Sequence, residues 1–166
     1  MKVAVLESVK KISMEEREIP KPEEDEVLVK VKSVGVCGSD IHYYNEGRIG
    51  SFVVEKPLVL GHEASGEVVE AGSKVKSLKI GDRVALEPGV PCRKCVYCKT
   101  GRYNLCPDVV FMATPPVDGA FAEYIAHPED FAFKLPDNVS YDEGALIEPL
   151  SVGIYASERA RVRPGD

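Results

Sequence analysis

The sequence lacks several features that would assign a function class directly. No run of about 18 apolar residues occurs, so no membrane-spanning helix is predicted. The first residues, "MKVAVLESVKK", alternate as a strand does and contain no apolar signal region, so no secretion signal is predicted. Internal repeats, low-complexity segments and a Gly-x-Gly-x-x-Gly turn of the kind that binds dinucleotides are also missing. We therefore expect a reducing, cytoplasmic location.

Positive charge is also scarce. The chain has 21 lysines and arginines against 27 aspartates and glutamates, which gives a net charge of −6. This balance argues against a general nucleic-acid or anionic-membrane binder. The 166 residues suffice for one domain with a core but not for two large ones. Because 14 glycines and 12 prolines are spread along the chain, many turns and short strands are expected.

The strand and helix patterns agree with a mainly β fold. Valines and lysines alternate in "VLVKVKSVGVC", which predicts a half-buried strand leading to Cys37. Helical signals come late: Ser140 and Glu143 have the spacing of a capping box. Pro149 is expected to be the first residue of a second helix, where its missing N–H costs nothing. We expect a small, irregular β-barrel with two helices at its end, followed by a Pro-Gly turn in "RVRPGD".

Four of the five cysteines lie within the segment "CRKCVYCKTGRYNLC". The spacing is Cys-x₂-Cys-x₂-Cys-x₇-Cys, and such turns aim sulfurs at a point about 2.3 Å away, which suits tetrahedral zinc. In a reducing compartment, clustered cysteines are more often metal ligands than disulfides. Because four thiolates leave no coordination position open, we predict a structural zinc in a lobe of residues about 88–110, held by Cys92, Cys95, Cys98 and Cys106.

Two other readings of the cysteine cluster rank below structural zinc. An iron–sulfur cluster shares the first three cysteines and a final Cys-Pro, but the ferredoxin run has three residues before its last cysteine and this one has seven. A zinc ribbon that binds nucleic acid fits locally, but the acidic charge of the whole chain argues against it.

The fifth cysteine, Cys37, stands in "GVCGSDIHYY", and "GHE" places His62 and Glu63 on a glycine turn further along. A lone cysteine is more often a buried small hydrophobe, and a lone His-Glu pair is weak evidence for a site. Together, however, the three residues each lie at a strand–turn junction. They would make a three-ligand zinc site with one open position, as a catalytic zinc requires.

These residues carry a family resemblance. "GHEASGEVVEAGSKV" fits the pattern Gly-His-Glu-x₂-Gly-x₅-Gly-x₂-Val. With "CGSD" upstream and the four-cysteine lobe downstream, the sequence resembles the zinc-dependent medium-chain alcohol dehydrogenases. Within that family, "GVCGSDIHYYNEGRIG", "GRYNLC", "FMATPP", "KLPDNV" and "EGALIEPLSVG" are similar to the sorbitol (polyol) dehydrogenase branch. The resemblance extends from about residue 30 to the end and implies a GroES-like irregular β-barrel.

The resemblance also implies residue roles. It makes Cys37, His62 and Glu63 the ligands of a catalytic zinc, with water in the fourth position. Glu148, in "IEPL", stands where simple alcohol dehydrogenases have a cysteine ligand, and it would contact the zinc-bound water or the substrate. A helix-end carboxylate is the plainer interpretation of Glu148. Asp40 is a candidate for orienting His62, or alternatively a turn-capping residue.

Further implied roles concern proton transfer and the substrate. Ser39 and His42 match the hydroxyl–imidazole pair that passes the alcohol proton to solvent. Tyr43 and Phe111 match positions that line the polyol pocket. Each of these four could equally be an ordinary packing or turn residue. His127, in "AHPED", has no ligand companions and is expected on the surface.

The whole resemblance predicts the catalytic portion of a zinc- and NAD-dependent polyol dehydrogenase that oxidises a secondary alcohol to a ketose. Residues 1–166 would form its GroES-like domain, and a Rossmann domain that binds NAD would follow, so the 166 residues alone are expected to be inactive. A polyol or ketose is the expected small-molecule partner, without nucleic acid or membrane. A homo-oligomer is also expected, which in full-length members of the family is a tetramer.

Alternatives remain open at the level of the sequence. A threonine or simple alcohol dehydrogenase belongs to the same family, although Glu148 in "EPLSVG" favours polyols. A non-catalytic zinc-binding or chaperonin-like module is a second class, because the fold would resemble the GroES barrel.

Overall fold

The computed structural model describes residues 1–163 and Gly165, which form a mainly β structure with four α-helices. This confirms the expected fold class. Pro164 and Asp166, which belong to the expected Pro-Gly turn, lie outside the described residues. In chain order the strands are β1 (Lys2–Ser8), β2 (Lys11–Glu16), β3 (Glu26–Gly35), β4 (Arg48–Ile49), β5 (Phe52–Val53), β6 (Leu58–Val59), β7 (Glu63–Ala71), β8 (Arg83–Leu86), β9 (Gly89–Val90), β10 (Val110–Phe111), β11 (Tyr124–Pro128) and β12 (Ala132–Lys134). The helices are α1 (Gly38–Glu46), α2 (Val96–Lys99), α3 (Tyr141–Ala145) and α4 (Ile147–Ala160).

The larger sheet has five strands in the order β11-β3-β7-β8-β12, and every neighbouring pair is antiparallel. Its core contains Val27 and Val29 of β3, Val68 of β7 and Val84 of β8, all fully buried. Lys30 is exposed, as the alternation of apolar and charged residues predicts. Each buried valine contributes roughly 1.5–3 kcal/mol relative to an exposed one. This core fixes the strands whose ends carry the candidate site.

A three-stranded sheet has the order β2-β1-β6 and is also antiparallel, and two short two-stranded sheets pair β4 with β5 and β9 with β10. Residues 121–123 connect the three-stranded sheet to the larger sheet through main-chain hydrogen bonds. The Ala4 N–H donates to the Phe121 carbonyl at 2.8 Å, and the Val31 N–H donates to the Glu123 carbonyl at 2.9 Å. One extended segment thus bonds to β1 on one side and to β3 on the other. These bonds fix the position of the three-stranded sheet relative to the five-stranded sheet.

Helix α1 was not expected, because the sequence pattern indicated only a strand–turn junction at Cys37. The helix is short and polar, so it has little apolar periodicity to detect. Its end signals are present nonetheless. The Asp40 carboxylate accepts the Cys37 N–H at 3.0 Å, and Gly47, with φ of 70°, donates its N–H to the Tyr43 carbonyl. These two caps could have revealed the helix.

The predicted capping box at the start of α3 is confirmed. The Glu143 N–H donates to Ser140 Oγ at 3.2 Å, and the Ser140 N–H donates to Glu143 Oε2 at 2.7 Å. Helix α4 begins at Ile147, so Pro149 is its third residue rather than its first. The first turn has no intrahelical acceptors for its N–H groups, so proline is tolerated there. Among the described residues, no helix has the length and apolarity needed to cross a bilayer.

The expectation that His127 lies on the surface is wrong, because the residue is 3% exposed. The stretch "AHPED" is polar, but β11 pairs with β3 and buries alternate residues, so His127 shares the inner face with Ile125. His127 Nε2 lies 3.0 Å from the Glu87 carbonyl oxygen. Burial lowers the pKa of the imidazole from 6.5 to about 4.

This buried imidazole predicts a loss of stability in mild acid. The unfolded chain takes up a proton as the pH falls through about 6.5, whereas folded His127 stays neutral until the pH nears its lowered pKa of about 4. Between pH 7 and pH 5, wild type should therefore lose about 2 kcal/mol more free energy of unfolding than the His127→Asn variant, which cannot titrate. Urea unfolding of both proteins at the two pH values measures the difference. Equal losses would show that His127 is not held neutral.

Candidate metal centres and adjoining cavities

The four clustered cysteines converge in the predicted lobe, where their sulfurs all lie within 4.8 Å of one another. Cys98 Sγ is 3.4 Å from Cys95 Sγ and 3.9 Å from Cys92 Sγ, and the Cys92 N–H donates to Cys106 Sγ at 3.3 Å. Four sulfurs bound tetrahedrally at about 2.3 Å from zinc would stand about 3.8 Å apart. The donor set and its spacing therefore fit a closed four-thiolate site.

The ionisation of these thiols also favours a bound cation. Main-chain N–H groups of Lys94 and Cys95 donate to the Cys92 sulfur and lower its pKa to about 7. Burial, together with the neighbouring thiols, raises the pKa of Cys98 to about 12. A first thiolate thus opposes the formation of others, so four thiolates together need a positive ion between them.

Arg93 links the lobe to the sheets. Its guanidinium lies 2.6 Å from Asp130 Oδ1 and 3.5 Å from Asp25 Oδ2, and 5.6 Å from the ring centre of Phe131. Each partly exposed ion pair contributes at most about 1 kcal/mol. Three contacts from one side chain nevertheless restrict how the lobe can turn relative to β11 and β12.

The second predicted ligand set also converges. One ligand atom from each of Cys37, His62 and Glu63 lies within 4.8 Å of the other two. Cys37 immediately precedes α1, His62 lies in the turn after β6, and Glu63 is the first residue of β7. His62 and Glu63 are each 7% exposed, whereas Cys37 is half-buried. Three separate chain segments thus bring a thiol, an imidazole and a carboxyl to one place.

Two glycines leave the space that the candidate ligands His62 and Glu63 need. Gly35 pairs with Glu63 across β3 and β7, and a Cβ on Gly35 would stand 2.0 Å from Glu63 Oε2. Gly61 has a φ of 87°, and a Cβ there would stand 2.6 Å from the Phe121 ring. A larger residue at either position would displace the carboxylate or reshape the turn that carries His62.

Asp40 joins the two turns that carry the ligands. The carboxylate is buried, and its Oδ2 accepts the Cys37 N–H at 3.0 Å while its Oδ1 accepts the Gly61 N–H at 2.9 Å. Oδ1 is 3.8 Å from His62 Nδ1, too far for a hydrogen bond. In this structure Asp40 therefore positions His62 through the main chain.

His62 supplies a test of whether a metal fits. Its Nδ1 is buried and has no hydrogen-bond partner among the described residues. Leaving a buried polar nitrogen unpartnered costs about 1–3 kcal/mol. The cost would be relieved by a metal bound at Nδ1, or by a hydrogen bond from Nδ1 to Asp40 while Nε2 bound the metal. An imidazole, a thiol and a carboxyl are zinc ligands, and three of them leave a fourth position open. The donor set therefore fits a catalytic zinc.

A cavity of about 680 Å³ lies in front of His62. Ser39, Tyr43 and Phe111, three of the residues predicted to act near the substrate, line it together with His62. Tyr43 is buried, and burial raises the pKa of its hydroxyl. The Phe111 ring centre lies 5.7 Å from that of His62. The cavity is thus walled by aromatic rings, with a few polar groups near the candidate metal ligands.

His42 is not among the residues that line this cavity. Its side chain is about half exposed, and Nε2 lies 3.2 Å from Glu46 Oε2 one turn further along α1. No hydrogen bond joins His42 to Ser39 in the described part of the chain. The hydroxyl–imidazole relay therefore stays a prediction.

Glu148 lines a second cavity, of about 440 Å³, which also reaches Phe111. Burial raises the pKa of the Glu148 carboxyl, and the carboxyls of Glu63 and Glu87 raise it further, while His62 opposes the shift. Glu87 was not singled out from the sequence. The only signal was a carboxylate at the end of a predicted strand, in "ALEPG", which is common in loops.

The two candidate metal centres should respond differently to the loss of a cysteine. The protein should hold about two zinc ions per chain. Cys95→Ser should lose one and destabilise the lobe, because metal binding and folding of that loop are coupled. Cys37→Ser should lose the other with little change in unfolding temperature. Plasma mass spectrometry and thermal unfolding measure both properties, and equal destabilisation of the two variants would contradict this division.

Asp40→Asn should weaken metal binding at the Cys37 centre. An amide in place of the carboxylate turns a donor toward one of the two N–H groups, which should cost about 1–3 kcal/mol of stability. Zinc should be lost from this centre at lower chelator concentrations, while the cysteine lobe keeps its metal. Asp118→Asn is the matched control, because Asp118 also accepts a main-chain N–H, that of Val59, but bonds to neither of the turns at Cys37 and Gly61. Unchanged zinc retention in Asp40→Asn would refute the positioning role.

Comparison with known proteins agrees with this geometry. Over 165 residues the chain is 58% identical to the sorbitol dehydrogenase of Bacillus subtilis, covering 99% of this chain and 47% of that protein. Over 163 residues it is 54% identical to a protein of Aspergillus clavatus named "Probable D-xylulose reductase A", covering 98% and 46%. The chain thus spans about half the length of these curated relatives.

A solved structure of an oxidoreductase/dehydrogenase of unknown specificity from Escherichia coli superposes with a TM-score of 0.92 at 49% identity, covering 99% of this chain and 48% of that chain. The family model described as alcohol dehydrogenase GroES-like domain matches residues 23–137, more than half of the sequence. The resemblance read from the motifs, and the GroES-like fold it implied, are therefore confirmed. The chain belongs to the alcohol dehydrogenase GroES-like domain family.

Proposed function

We propose that the chain is the catalytic, zinc-binding portion of an NAD-dependent polyol dehydrogenase that oxidises a secondary alcohol to a ketose. The observation that carries this proposal is the meeting of Cys37, His62 and Glu63 beside two cavities, one of which contains Glu148. Such a three-ligand set suits a metal that must also bind a substrate oxygen. Sorbitol dehydrogenase and D-xylulose reductase relatives support a polyol as the substrate class.

The charges of the ligands suit an uncharged substrate. One thiolate and one carboxylate, those of Cys37 and Glu63, balance the two positive charges of a zinc ion, and His62 adds none when neutral. When bound, zinc would supply Lewis acidity that lowers the pKa of an alcohol hydroxyl. A neutral site lets a polyhydroxylated molecule approach without strong repulsion or attraction. Cys92, Cys95, Cys98 and Cys106 would hold the second, structural zinc.

The remaining residues of the site would act on the substrate directly. Ser39 lies on the cavity wall where its hydroxyl can take the alcohol proton, and His42 on the next turn of α1 would carry it toward solvent. Phe111 and Tyr43 would exclude water and hold the carbon chain. Glu148, whose pKa is raised by burial, would hydrogen-bond a hydroxyl beside the reacting carbon.

Other parts of the proposal concern the larger assembly. We infer that NAD binds to a Rossmann domain outside these 166 residues, because the sequence contains no Gly-x-Gly-x-x-Gly turn. We infer a cytoplasmic location, because in a reducing compartment clustered cysteines are more often metal ligands than disulfides. The homo-oligomer expected from the family resemblance remains a prediction.

Turnover by the full-length protein tests the function. With zinc and NAD⁺, it should oxidise sorbitol or xylitol with a much higher kcat/KM than ethanol or threonine. Glu148→Gln should lower kcat/KM for the polyols about 10- to 100-fold, because it removes a charge-assisted hydrogen bond near the reacting carbon. Glu158→Gln, an exposed position on the same helix, is the control and should keep wild-type rates. Preference for ethanol or threonine would overturn the polyol assignment.

A further inference from the structure

The second cavity has a composition that the proposed chemistry at the zinc does not explain. Most of its wall is apolar, including Val109, Phe111, Phe133 and Ile147. Its polar groups come from three different elements: Glu87 follows β8, Asn104 belongs to the cysteine lobe, and Glu148 and Ser151 lie on α4. An apolar pocket with a few convergent polar groups is typical of a small-molecule site.

Glu87 is held in place from two sides. Its main-chain carbonyl lies 3.0 Å from buried His127 Nε2, and its Oε2 accepts a hydrogen bond from the Tyr103 hydroxyl at 3.2 Å. The side chain is half-buried, and burial raises the pKa of its carboxyl, while the Tyr103 hydroxyl opposes that shift. Two anchors on one residue indicate a carboxylate with a fixed direction rather than a mobile surface group.

Neither Glu87 nor Glu148 has a cationic partner among the ion pairs of the described residues. A half-buried carboxyl without a cation is stabilised by hydrogen-bond donors. Tyr103 supplies one donor to Glu87, and a carboxylate has room for about four. Glu87 thus keeps unused acceptor capacity on the wall of a cavity.

The two cavities are adjacent, because Val109 and Phe111 line both of them. Glu148 is close enough to both His62 and Glu87 for each to affect its pKa. Glu87, Glu148 and Phe111 line the second cavity together, and the Phe111 ring centre lies 5.7 Å from that of His62, which lines the first cavity. A linear ligand whose reacting end lies at the metal centre could extend past Glu148 toward Glu87.

We propose that Glu87 is a specificity-determining residue whose carboxylate accepts hydrogen bonds from hydroxyl groups at the far end of a linear polyol. This inference rests on the proposed function and deepens it, since it states how substrates of different length and hydroxylation are distinguished. A polyol offers a donor on every carbon, whereas an alkyl chain would leave the carboxylate unpaired in an apolar cavity. Glu87 takes no part in the bond-breaking steps.

The test compares two substrates of equal length in the full-length protein. Sorbitol and 1,2-hexanediol both have six carbons and a vicinal diol at one end, but only sorbitol has hydroxyls at the other end. Glu87→Gln should raise KM for sorbitol about tenfold and leave kcat within about twofold, because a hydrogen bond used equally in ground and transition states is weakened. KM for 1,2-hexanediol should not rise, because its alkyl end forms no hydrogen bond with Glu87 that the substitution could weaken. Glu158→Gln is again the control for the loss of one negative charge.

A binding measurement separates this inference from the proposed function. Saturation-transfer NMR of sorbitol on the zinc-loaded protein, without NAD⁺, should show weaker binding to Glu87→Gln than to wild type. This result would support the subsite even if the protein oxidised no polyol, which would overturn only the proposed function. Unchanged KM and unchanged sorbitol binding in Glu87→Gln would overturn the subsite. A lysine or arginine from another part of the protein that paired with Glu87 would give the same unchanged values, so that arrangement would also overturn the subsite.

Should Glu87→Gln fail to fold, Tyr103→Phe provides a second route. It removes the hydroxyl that orients the carboxylate but leaves the carboxylate itself. We expect about a threefold rise in KM for sorbitol, without a change in kcat or in KM for 1,2-hexanediol. Equal rises for both substrates would indicate a general structural defect and would overturn the subsite.

Discussion

The buried carboxylate of Asp40 is the contact on which the arrangement of the second candidate metal centre depends. It accepts one N–H from the turn at Cys37 and one from the turn at Gly61, so it connects two segments that are far apart in the sequence. Each of these charge-assisted hydrogen bonds contributes about 1.5–3 kcal/mol. Because they act on the main chain, they fix the positions from which the Cys37 and His62 side chains start.

The register of β3 and β7 completes this centre. Gly35 lies opposite Glu63, and it is the missing side chain at Gly35 that leaves space for the Glu63 carboxylate. A slip of one residue would put a different side chain opposite Glu63 and move the carboxylate to the other face of the sheet. The fully buried valines of these strands, among them Val29 and Val68, hold the register. The core thus supports the site through strand pairing, without contributing atoms to it.

Apart from Cys37, His62 and Glu63, which the family resemblance brought together, the features that the sequence predicted are those encoded locally. The cysteine spacing, the alternation in β3 and the Ser140–Glu143 box all involve residues close together in the chain. The burial of His127 depends on how β11 pairs with β3, and its polar neighbours give no sign of it. Glu87 becomes notable only where β8, the cysteine lobe and α4 meet around one cavity. Such features depend on tertiary contacts, so a single sequence does not reveal them.

The two candidate metal centres also differ in whether their ligands come from one short segment or from distant parts of the chain. The four sulfurs belong to fifteen consecutive residues, so a bound ion would close only short loops, and closing them costs little conformational entropy. Metal binding would therefore be coupled to folding of the lobe. Cys37 and His62 are separated by 24 intervening residues, and α1, β4, β5 and β6 lie between them. Here the pairing of β3 with β7 and the two hydrogen bonds to Asp40 position the segments that carry the ligands. Because these contacts do not involve a metal, we expect the fold around Cys37 and His62 to need no fourth protein ligand, which leaves one coordination position open for a substrate oxygen.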